Sequence, residues 1–521
     1  MRAWELVQGI SFELICGDIE TFVSDITDDS RCVRPGCVFI CISGDVHNGH
    51  DYIEDALARG AVGVIVSESL SRDMILSLRH RDCFAIFVYD IEACIGRLCN
   101  NFFDWPSRRL KLVGVTGTKG KTTTACMIRH MLDSCNYGCG LIGTLGIDTG
   151  SGIVSTQNTT PSCVTIHKAL AEMVKNGLSY CVMEVSSQGI MKNRIAGIIF
   201  DTGVFTNISY DHVGKNEHKT FEEYYRWKSH LITKCKNAVI CSDDIYLAGL
   251  VAGIKDTGLY ERELSSGKAC DRKASLLTYG LSSGDVMAVN PQSIVSGEKG
   301  GMSFILRFDS KMMSTINVAL PGICNVENAL AAISVSLIYG LTAETMSASL
   351  RDVVVPGRME YVQVSDKFMV VIDYAHNSIS LINALSTLRR YTAGKIICVF
   401  GCGGNRARHR RFGMGKASGL YADVTVITSD NPRYEAPIEI MHDIKTGVEK
   451  TCGSYVMIED RKEAIRYALS HAQEGDIVLL AGKGHETYQE ICGRRLPMNE
   501  RELIAHILKE DKDGVICGCN N

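Results

Sequence analysis

The sequence has no excess of positive charge. Lysine and arginine number 55 against 59 aspartates and glutamates, a formal net charge of −4, which argues against a general nucleic-acid or membrane-surface binder. No apolar run approaches the roughly 18 residues needed to span a bilayer, so no membrane insertion is expected. The N-terminus carries no signal-peptide pattern. No CxxC pair has a partner at metal-finger spacing, which sets aside a structural zinc site. Heptads, low-complexity tracts and short repeats are also lacking, against coiled-coil and solenoid architectures.

Cysteine, by contrast, is plentiful. The 22 cysteines lie scattered through apolar runs such as "CVFICI" and "IICVF", and the expectation is reduced, mostly buried thiols in a cytosolic protein. With 45% hydrophobic and 22% charged residues the chain reads as globular, and 521 residues are too many for one core. Length alone suggests about three domains.

Short β-rich runs alternate with helical stretches, which points to α/β architecture with largely parallel sheets. In a first block "CVFICISG" and "AVGVIVSES" read as strands and "HDYIEDALARG" as a helix ending at Gly60. This block closes near Trp105-Pro106. A second opens with the strand "LKLVGVTG", includes "YCVMEVSS" and "DTGVFTNIS", and ends with the alanine-rich helix "GICNVENALAAISVSLIYG" and a further short helix. A third begins at "VPGRME" and contains four apolar runs, "FMVVIDYAHN", "KIICVFGCGG", "DVTVITSDNP" and "DIVLLAGKGHE". Each ends in glycine or polar residues, and ligands gather at such carboxyl ends of parallel strands. The domain boundaries expected are 1–107, 108–351 and 352–521.

The stretch "VGVTGTKGKTTTACMIRHML" runs from a strand through a glycine turn into a helix. Such a turn leaves backbone N–H groups open to an anion, and a helix N-terminus adds more. Gly117 and Gly120 permit the tight path, Lys121 can reach outer phosphates, and Thr122 or Thr123 can offer a hydroxyl to Mg²⁺. The strict P-loop spacing is not met, because Val115 stands where its first glycine belongs. A solvated lysine beside a plain glycine turn is the bland alternative, and Lys119 fits either reading. Glu184, closing "VMEVSS", and His212, in "TNISYDH", supply hard oxygen and imidazole ligands at neighbouring strand ends.

Taken together, "GVTGTKGKTTT", "NTTP", "MEVSSQG", "FTNISYDH", "YYRWKSHL", "DYAHN", "FGCGGNR", "SDNPRYE" and "AGKGHE" resemble the Mur ligases of bacterial cell-wall synthesis, in the correct order over almost the whole chain. The resemblance implies three domains: an N-terminal UDP-sugar-binding α/β domain, a central P-loop-type ATPase domain and a C-terminal Rossmann-like domain that binds the amino acid. It implies a cytoplasmic bacterial enzyme, expected to be a monomer, that uses ATP and Mg²⁺. In this chemistry ATP phosphorylates the terminal carboxylate of UDP-N-acetylmuramoyl-L-alanyl-D-glutamate, and an amine attacks the acyl phosphate. By resemblance Gly117, Thr118, Lys119, Gly120, Lys121, Thr122 and Thr123 serve ATP. Thr122, Glu184 and His212 help hold Mg²⁺, and Lys228 in "RWKSHL" matches a lysine that the family carbamylates, forming N6-carboxylysine. Ser30 and Arg31 match the uridine-binding "DSR". Asn158, Thr159, Thr160, Ser186, Lys192 and Arg194 match positions that contact the muramoyl peptide. Arg358, His376 and Lys483 are expected near ATP, a role requiring domain closure. Gln188, Lys192, Asn193, Ser378 and Asn405 depart from the commoner residues of these motifs.

The added amino acid is expected to be meso-2,6-diaminopimelate. In the family "DNPR", here Asp430, Asn431, Pro432 and Arg433, marks the diaminopimelate-adding members, and Arg406, Gly482 and Glu486 match the rest of that pocket. A guanidinium at Arg433 can grip the distal carboxylate that lysine lacks with two charge-assisted bonds. Glu486 is expected to take the distal ammonium. An L-lysine-adding or folylpolyglutamate-type ligase and, from another class, a P-loop kinase or ATPase are the alternatives.

Overall fold

The computed structural model describes residues 1–44, 47–210, 214, 218–257, 275–296 and 299–518. By packing, the chain divides into two compact units, Met1–Met287 with Leu330–Thr345, and Ala288–Ala329 with Met346–Asn521. No helix among the described residues is long and apolar enough to cross a membrane. The cysteines among them are free thiols, most of them buried or half-buried.

The first unit opens with a five-stranded sheet of β1 (Glu13–Cys16), β2 (Asp25–Thr27), β3 (Cys37–Ile40), β4 (Gly63–Val66) and β5 (Phe84–Phe87), in the order β1-β5-β4-β3-β2. Only β1 is antiparallel to its neighbour. Every residue of β3 and β4 is buried, because both faces are covered. Val38 and Ile40 pack with Ile95 and Leu98 of the helix Ile91–Phe103, while Phe39 and Val64 pack with Leu57 and Leu78 on the other side. Such double burial explains why these strands read as unbroken apolar runs rather than alternating ones. The helix expected over "HDYIEDALARG" spans Ile53–Ala58, and Gly60, at φ +95°, turns the chain out of it.

The second sheet of this unit comprises β6 (Lys111–Thr116), β7 (Cys139–Gly143), β8 (Gly146–Asp148), β9 (Ile153–Val154), β10 (Tyr180–Glu184), β11 (Thr202–Phe205), β12 (Asn237–Cys241) and β13 (Leu276–Gly280). Their order is β13-β12-β11-β6-β10-β7-β8-β9. The strands from β13 to β7 are parallel, and β8 and β9 close the edge antiparallel. β14 (Val286–Ser296) joins β13 through Val286 and Met287. The chain passes from β7 and β10 on one flank of β6 to β11 on the other, a topological switch of the kind that places ligands at carboxyl strand ends. Helix Lys121–Ser134 follows β6 and buries Ala125, Met127, Ile128, Met131 and Leu132, a stripe at helical spacing.

In the second unit β15 (Lys299–Phe308) and β16 (Lys311–Val318) form an antiparallel hairpin, a departure from the parallel pattern expected. Asp309 and Ser310 both have positive φ, the geometry of a two-residue turn that matches strand twist. A six-stranded sheet has the order β17-β18-β22-β19-β20-β21, from β17 (Glu360–Val362), β18 (Met369–Asp373), β19 (Ile396–Phe400), β20 (Val424–Ile427), β21 (Ser454–Met457) and β22 (Ile477–Ala481). All but the β17 edge are parallel. The four apolar runs of the third block are thus β18, β19, β20 and β22, and their polar ends emerge at one edge of one sheet. A small hairpin, β23 (Tyr488–Ile491) and β24 (Arg494–Pro497), turns at Cys492-Gly493, again with two positive φ values.

Candidate active site

The glycine loop is held by the end of β11. Gly117 has φ +147°, and a Cβ there would lie 1.9 Å from Thr206 Oγ1, so no larger residue fits. Thr118 N–H donates to the Asn207 carbonyl at 2.9 Å and Lys119 N–H to Asn207 Oδ1 at 2.9 Å. Thr206 Oγ1 donates to the Lys119 carbonyl at 2.7 Å. Gly120, at φ +84°, caps the helix, and Thr122, Thr123 and Thr124 are buried in its first turn. The Lys121 ammonium folds back onto the carbonyls of Gly117 (2.8 Å) and Thr118 (3.2 Å).

Beside the loop, the carboxylate of Glu184 is 2% exposed. Its Oε2 accepts hydrogen bonds from the hydroxyls of Thr122 (2.9 Å) and Thr144 (3.1 Å), and its Oε1 accepts from Thr144 N–H (2.8 Å). Glu184 forms no ion pair among the described residues. Carboxylate and hydroxyl oxygens of this kind suit a hard divalent cation. No cluster of three or more His, Cys, Asp or Glu side chains forms among the described residues, and His212 lies outside them. Lys228, on helix Phe221–Ile232, is also 2% exposed. Its ammonium donates to the Gly117 carbonyl at 2.7 Å and lies 4.8 Å from the Tyr224 ring centre, so the loop, Glu184 and Lys228 come together.

The muramoyl-peptide candidates form an adjoining hydrogen-bonded group. Thr159 Oγ1 lies 3.1 Å from Thr144 Oγ1, and Thr160 Oγ1 donates to the Glu184 carbonyl (3.0 Å) and to Ser186 Oγ (3.1 Å). Arg194 Nη1 donates to the Thr160 carbonyl at 2.7 Å. Asn158 is exposed and Lys192 half-buried. Asn193 adopts φ +50°, and its amide donates to Glu92 at 3.3 Å. On the first sheet, Ser30 starts a one-turn helix, and Arg31 makes a two-point pair with Asp29 (2.9 and 2.7 Å) while remaining largely exposed.

In the second unit the candidates sit on the loops after β18, β19, β20 and β22. The wholly buried Lys483 ammonium donates to Asn431 Oδ1 (2.8 Å), Glu486 Oε2 (2.7 Å) and the Tyr488 carbonyl (2.6 Å). Asn431 Nδ2 donates to the same Glu486 oxygen at 2.9 Å. Gly482 has φ +105°, with Asp430 Oδ2 only 3.1 Å from where a Cβ would stand. Pro432 is packed against Gly404, where a Cβ would meet the proline carbonyl at 1.9 Å. The Arg433 side chain donates to the Gly404 carbonyl (2.7 Å) and to Glu490 (3.2 Å). Arg406 is exposed. Asn405 occupies a left-handed conformation, φ +54°, which asparagine and aspartate both tolerate.

Close to Lys483, the Arg358 guanidinium stacks 4.6 Å from the Tyr374 ring centre, and the rings of His376 and His485 lie 4.7 and 4.8 Å from the same tyrosine. A Cβ on Gly357, at φ +68°, would fall 2.2 Å from His485 N, so the turn "VPGRME" lies directly on "GKGHE". Burial, then the cations Arg358 and Lys483, push the His485 imidazole down to about 4. It is therefore neutral at physiological pH.

Thr144, Thr206, Asn207 and Glu490 hydrogen-bond these candidates and were not singled out by sequence. Thr206 and Asn207 follow β11 in the polar run "TNIS", a signal open to sequence reading. Thr144 and Glu490 have no such signal, being placed by the turn between β7 and β8 and by the β23–β24 hairpin.

Comparisons with known proteins agree with this geometry. The sequence matches the Mur ligase family catalytic domain over residues 23–94, the Mur ligase middle domain over 115–336 and the Mur ligase glutamate ligase domain over 357–484. It is 38% identical over 514 residues to the UDP-N-acetylmuramoyl-L-alanyl-D-glutamate–2,6-diaminopimelate ligase of Caldanaerobacter subterraneus subsp. tengcongensis, covering 98% of this chain and 100% of that one. A solved structure of a ligase of the same name superimposes with a TM-score of 0.65 at 28% identity, covering 98% of this chain and 99% of the other. The fold also matches the MurF ligase of Thermotoga maritima in complex with ADP, at 18% identity and a TM-score of 0.60 over 95% of this chain and 98% of that one. With its three-domain architecture and its strand-end loops, the chain belongs to the Mur ligase family of ATP-dependent, amide-bond-forming ligases.

Proposed function

We propose that this chain joins meso-2,6-diaminopimelate to the D-glutamyl carboxylate of UDP-N-acetylmuramoyl-L-alanyl-D-glutamate, with cleavage of ATP to ADP and phosphate, in the bacterial cytoplasm. The observation that carries the choice of amino acid is the Arg433 guanidinium beside the Asn431–Lys483–Glu486 group. The first offers a grip for a second carboxylate and the other a carboxylate for an ammonium. The name of the relatives supports the same choice.

The chemistry follows from the charges. A substrate carboxylate oxygen attacks the γ-phosphorus, ADP leaves and an acyl phosphate forms. The amine then attacks the acyl carbon, phosphate departs and the amine sheds a proton. The first step brings two anions together, and two unit charges ~4 Å apart repel by ~1 kcal/mol in water and ~4 kcal/mol at an effective dielectric of 20. The Lys121 ammonium and the N–H groups at the helix N-terminus, from Gly120 to Thr123, offset this repulsion. Thr122 and Glu184 would hold Mg²⁺, with His212 a further ligand by family resemblance. That ion, when bound, supplies additional neutralisation of phosphate charge. Lys228, carbamylated, would place an anion beside the loop in position to orient the cation. Ser30, Asn158, Thr159, Thr160, Ser186, Lys192 and Arg194 serve the nucleotide-linked peptide. Arg358 and His376 serve ATP, while Arg406, Asp430, Asn431, Pro432, Arg433, Gly482 and Glu486 serve the amino acid.

The test is product mass. Purified protein supplied with ATP, Mg²⁺, the nucleotide-linked dipeptide and equal concentrations of meso-diaminopimelate and L-lysine should yield the diaminopimelyl product in large excess. A lysyl product in excess would discard the amino-acid assignment.

A further inference from the structure

We propose that Glu490 is a positioning residue for recognition of the amino acid's distal carboxylate. The inference rests on the diaminopimelate reading and adds a residue which that reading did not contain.

Hairpin β23–β24 wraps the turn that carries Arg433. Arg433 N–H donates to the Glu490 carbonyl at 3.0 Å, Cys492 N–H donates to the Arg433 carbonyl at 2.7 Å, and Glu490 N–H donates to Asn431 Oδ1 at 2.9 Å. These bonds hold Arg433 at φ +54°, a conformation that a non-glycine residue seldom adopts without support. The hairpin therefore fixes where the Arg433 side chain starts.

Glu490 then fixes where that side chain ends. Its Oε2 accepts from Arg433 Nε at 3.2 Å, while the Gly404 carbonyl accepts from Nη1 at 2.7 Å. Two acceptors on different nitrogens set both the direction and the plane of the guanidinium. A guanidinium carries its five N–H donors in one rigid fork, so once the plane is set the remaining donors have fixed directions. Nη2 makes no hydrogen bond among the described residues, and the pair is about a quarter exposed, 23% and 24%. The outward donors can therefore meet an incoming carboxylate without reorganising the side chain. Preorganisation of this kind lowers the ordering cost of binding. Glu490 touches neither ATP nor the reacting carboxylate in this scheme, so its effect is confined to one substrate.

The experiment compares wild type, Glu490→Ala and Glu490→Gln in steady-state ADP release, with the KM for meso-diaminopimelate, ATP and the nucleotide-linked dipeptide measured separately. Glu490→Ala should raise the KM for meso-diaminopimelate by about tenfold or more, leaving the other two KM values and kcat near wild type. Glu490→Gln should stay close to wild type, because its amide oxygen still accepts the Nε–H bond. A Glu490→Ala enzyme with an unchanged KM for meso-diaminopimelate would overturn the proposal. So would a uniform fall in kcat with all KM values unchanged, the signature of a merely structural role, or a Glu490→Gln enzyme as impaired as Glu490→Ala. A wild type that prefers lysine would overturn the amino-acid reading and this proposal together, whereas a diaminopimelate preference indifferent to Glu490 would overturn the proposal alone.

Discussion

Replacing Arg461 with leucine should strand a carboxylate that the fold has buried. The Arg461 guanidinium gives two hydrogen bonds to Glu500 Oε1, from Nε at 2.9 Å and Nη2 at 2.7 Å. It also donates to the carbonyls of Ser429 (3.2 Å) and Ala481 (3.0 Å), the residues just before Asp430 and Gly482. The two side chains are 2% and 0% exposed, and Glu500 Oε2 has no partner among the described residues. Burial pushes the Glu500 carboxyl up, against the pull of Arg461. Removing one member of a buried pair costs about 3–5 kcal/mol, while replacing both by apolar residues is often neutral or stabilising. At 1.36 kcal/mol per decade, that cost corresponds to roughly a hundredfold to several-thousandfold. Hydrogen exchange read on peptides covering β20 and β22 should lose protection by this factor in Arg461→Leu and regain most of it in Arg461→Leu/Glu500→Leu. The deficit should shrink on acidification. The folded-state carboxyl has a raised pKa, so the folded protein takes up its proton first and is stabilised as pH falls through that value. Protection within tenfold of wild type in the single variant, or a double variant as unprotected as the single, would refute the reasoning.

Three further outcomes follow from the sites. Arg433→Ala removes two charge-assisted bonds worth about 1.5–3 kcal/mol each, so the preference for meso-diaminopimelate over lysine should fall by about a hundredfold or more; an unchanged ratio in competition assays would sink the assignment. Lys228→Ala should lose activity that high bicarbonate cannot restore, and Lys228→Glu should keep a measurable part of it. Full activity in Lys228→Ala would rule out a carbamate role. His485, with a folded value of about 4 against 6.5, contributes stability that is present above pH 6.5 and lost as pH falls towards 4. His485→Gln should flatten that limb of a thermal-unfolding profile, and an identical profile would count against burial as the cause.

Much of this was legible in the chain because parallel strands buried on both faces leave continuous apolar runs, and their polar ends mark the ligand face. The loop of Gly117–Gly120, Glu184 at the end of β10 and the Asp430–Arg433 turn after β20 all follow that rule. Lys228 was legible only by resemblance, since a lysine on an amphipathic helix reads as solvated, yet it is buried against the loop. The β23–β24 hairpin escaped because its residues, half-buried in β23 and exposed in β24, show no hydrophobic alternation and its turn, Cys492-Gly493, lacks the commoner Asn-Gly signal. Glu490 and the Arg461–Glu500 pair escaped for a related reason. Their roles come from partners between 20 and 59 positions away, Ala481 and Asn431 among them, and no local pattern encodes such pairings.

The most direct test is amino-acid-dependent ADP release. Purified protein would receive ATP, Mg²⁺ and UDP-N-acetylmuramoyl-L-alanyl-D-glutamate, with meso-diaminopimelate, L-lysine or no amino acid in parallel reactions. Release that depends on meso-diaminopimelate, with lysine near the background rate, is the expected result. Release at the same rate in all three reactions would contradict the assignment of this chain as the diaminopimelate-adding ligase.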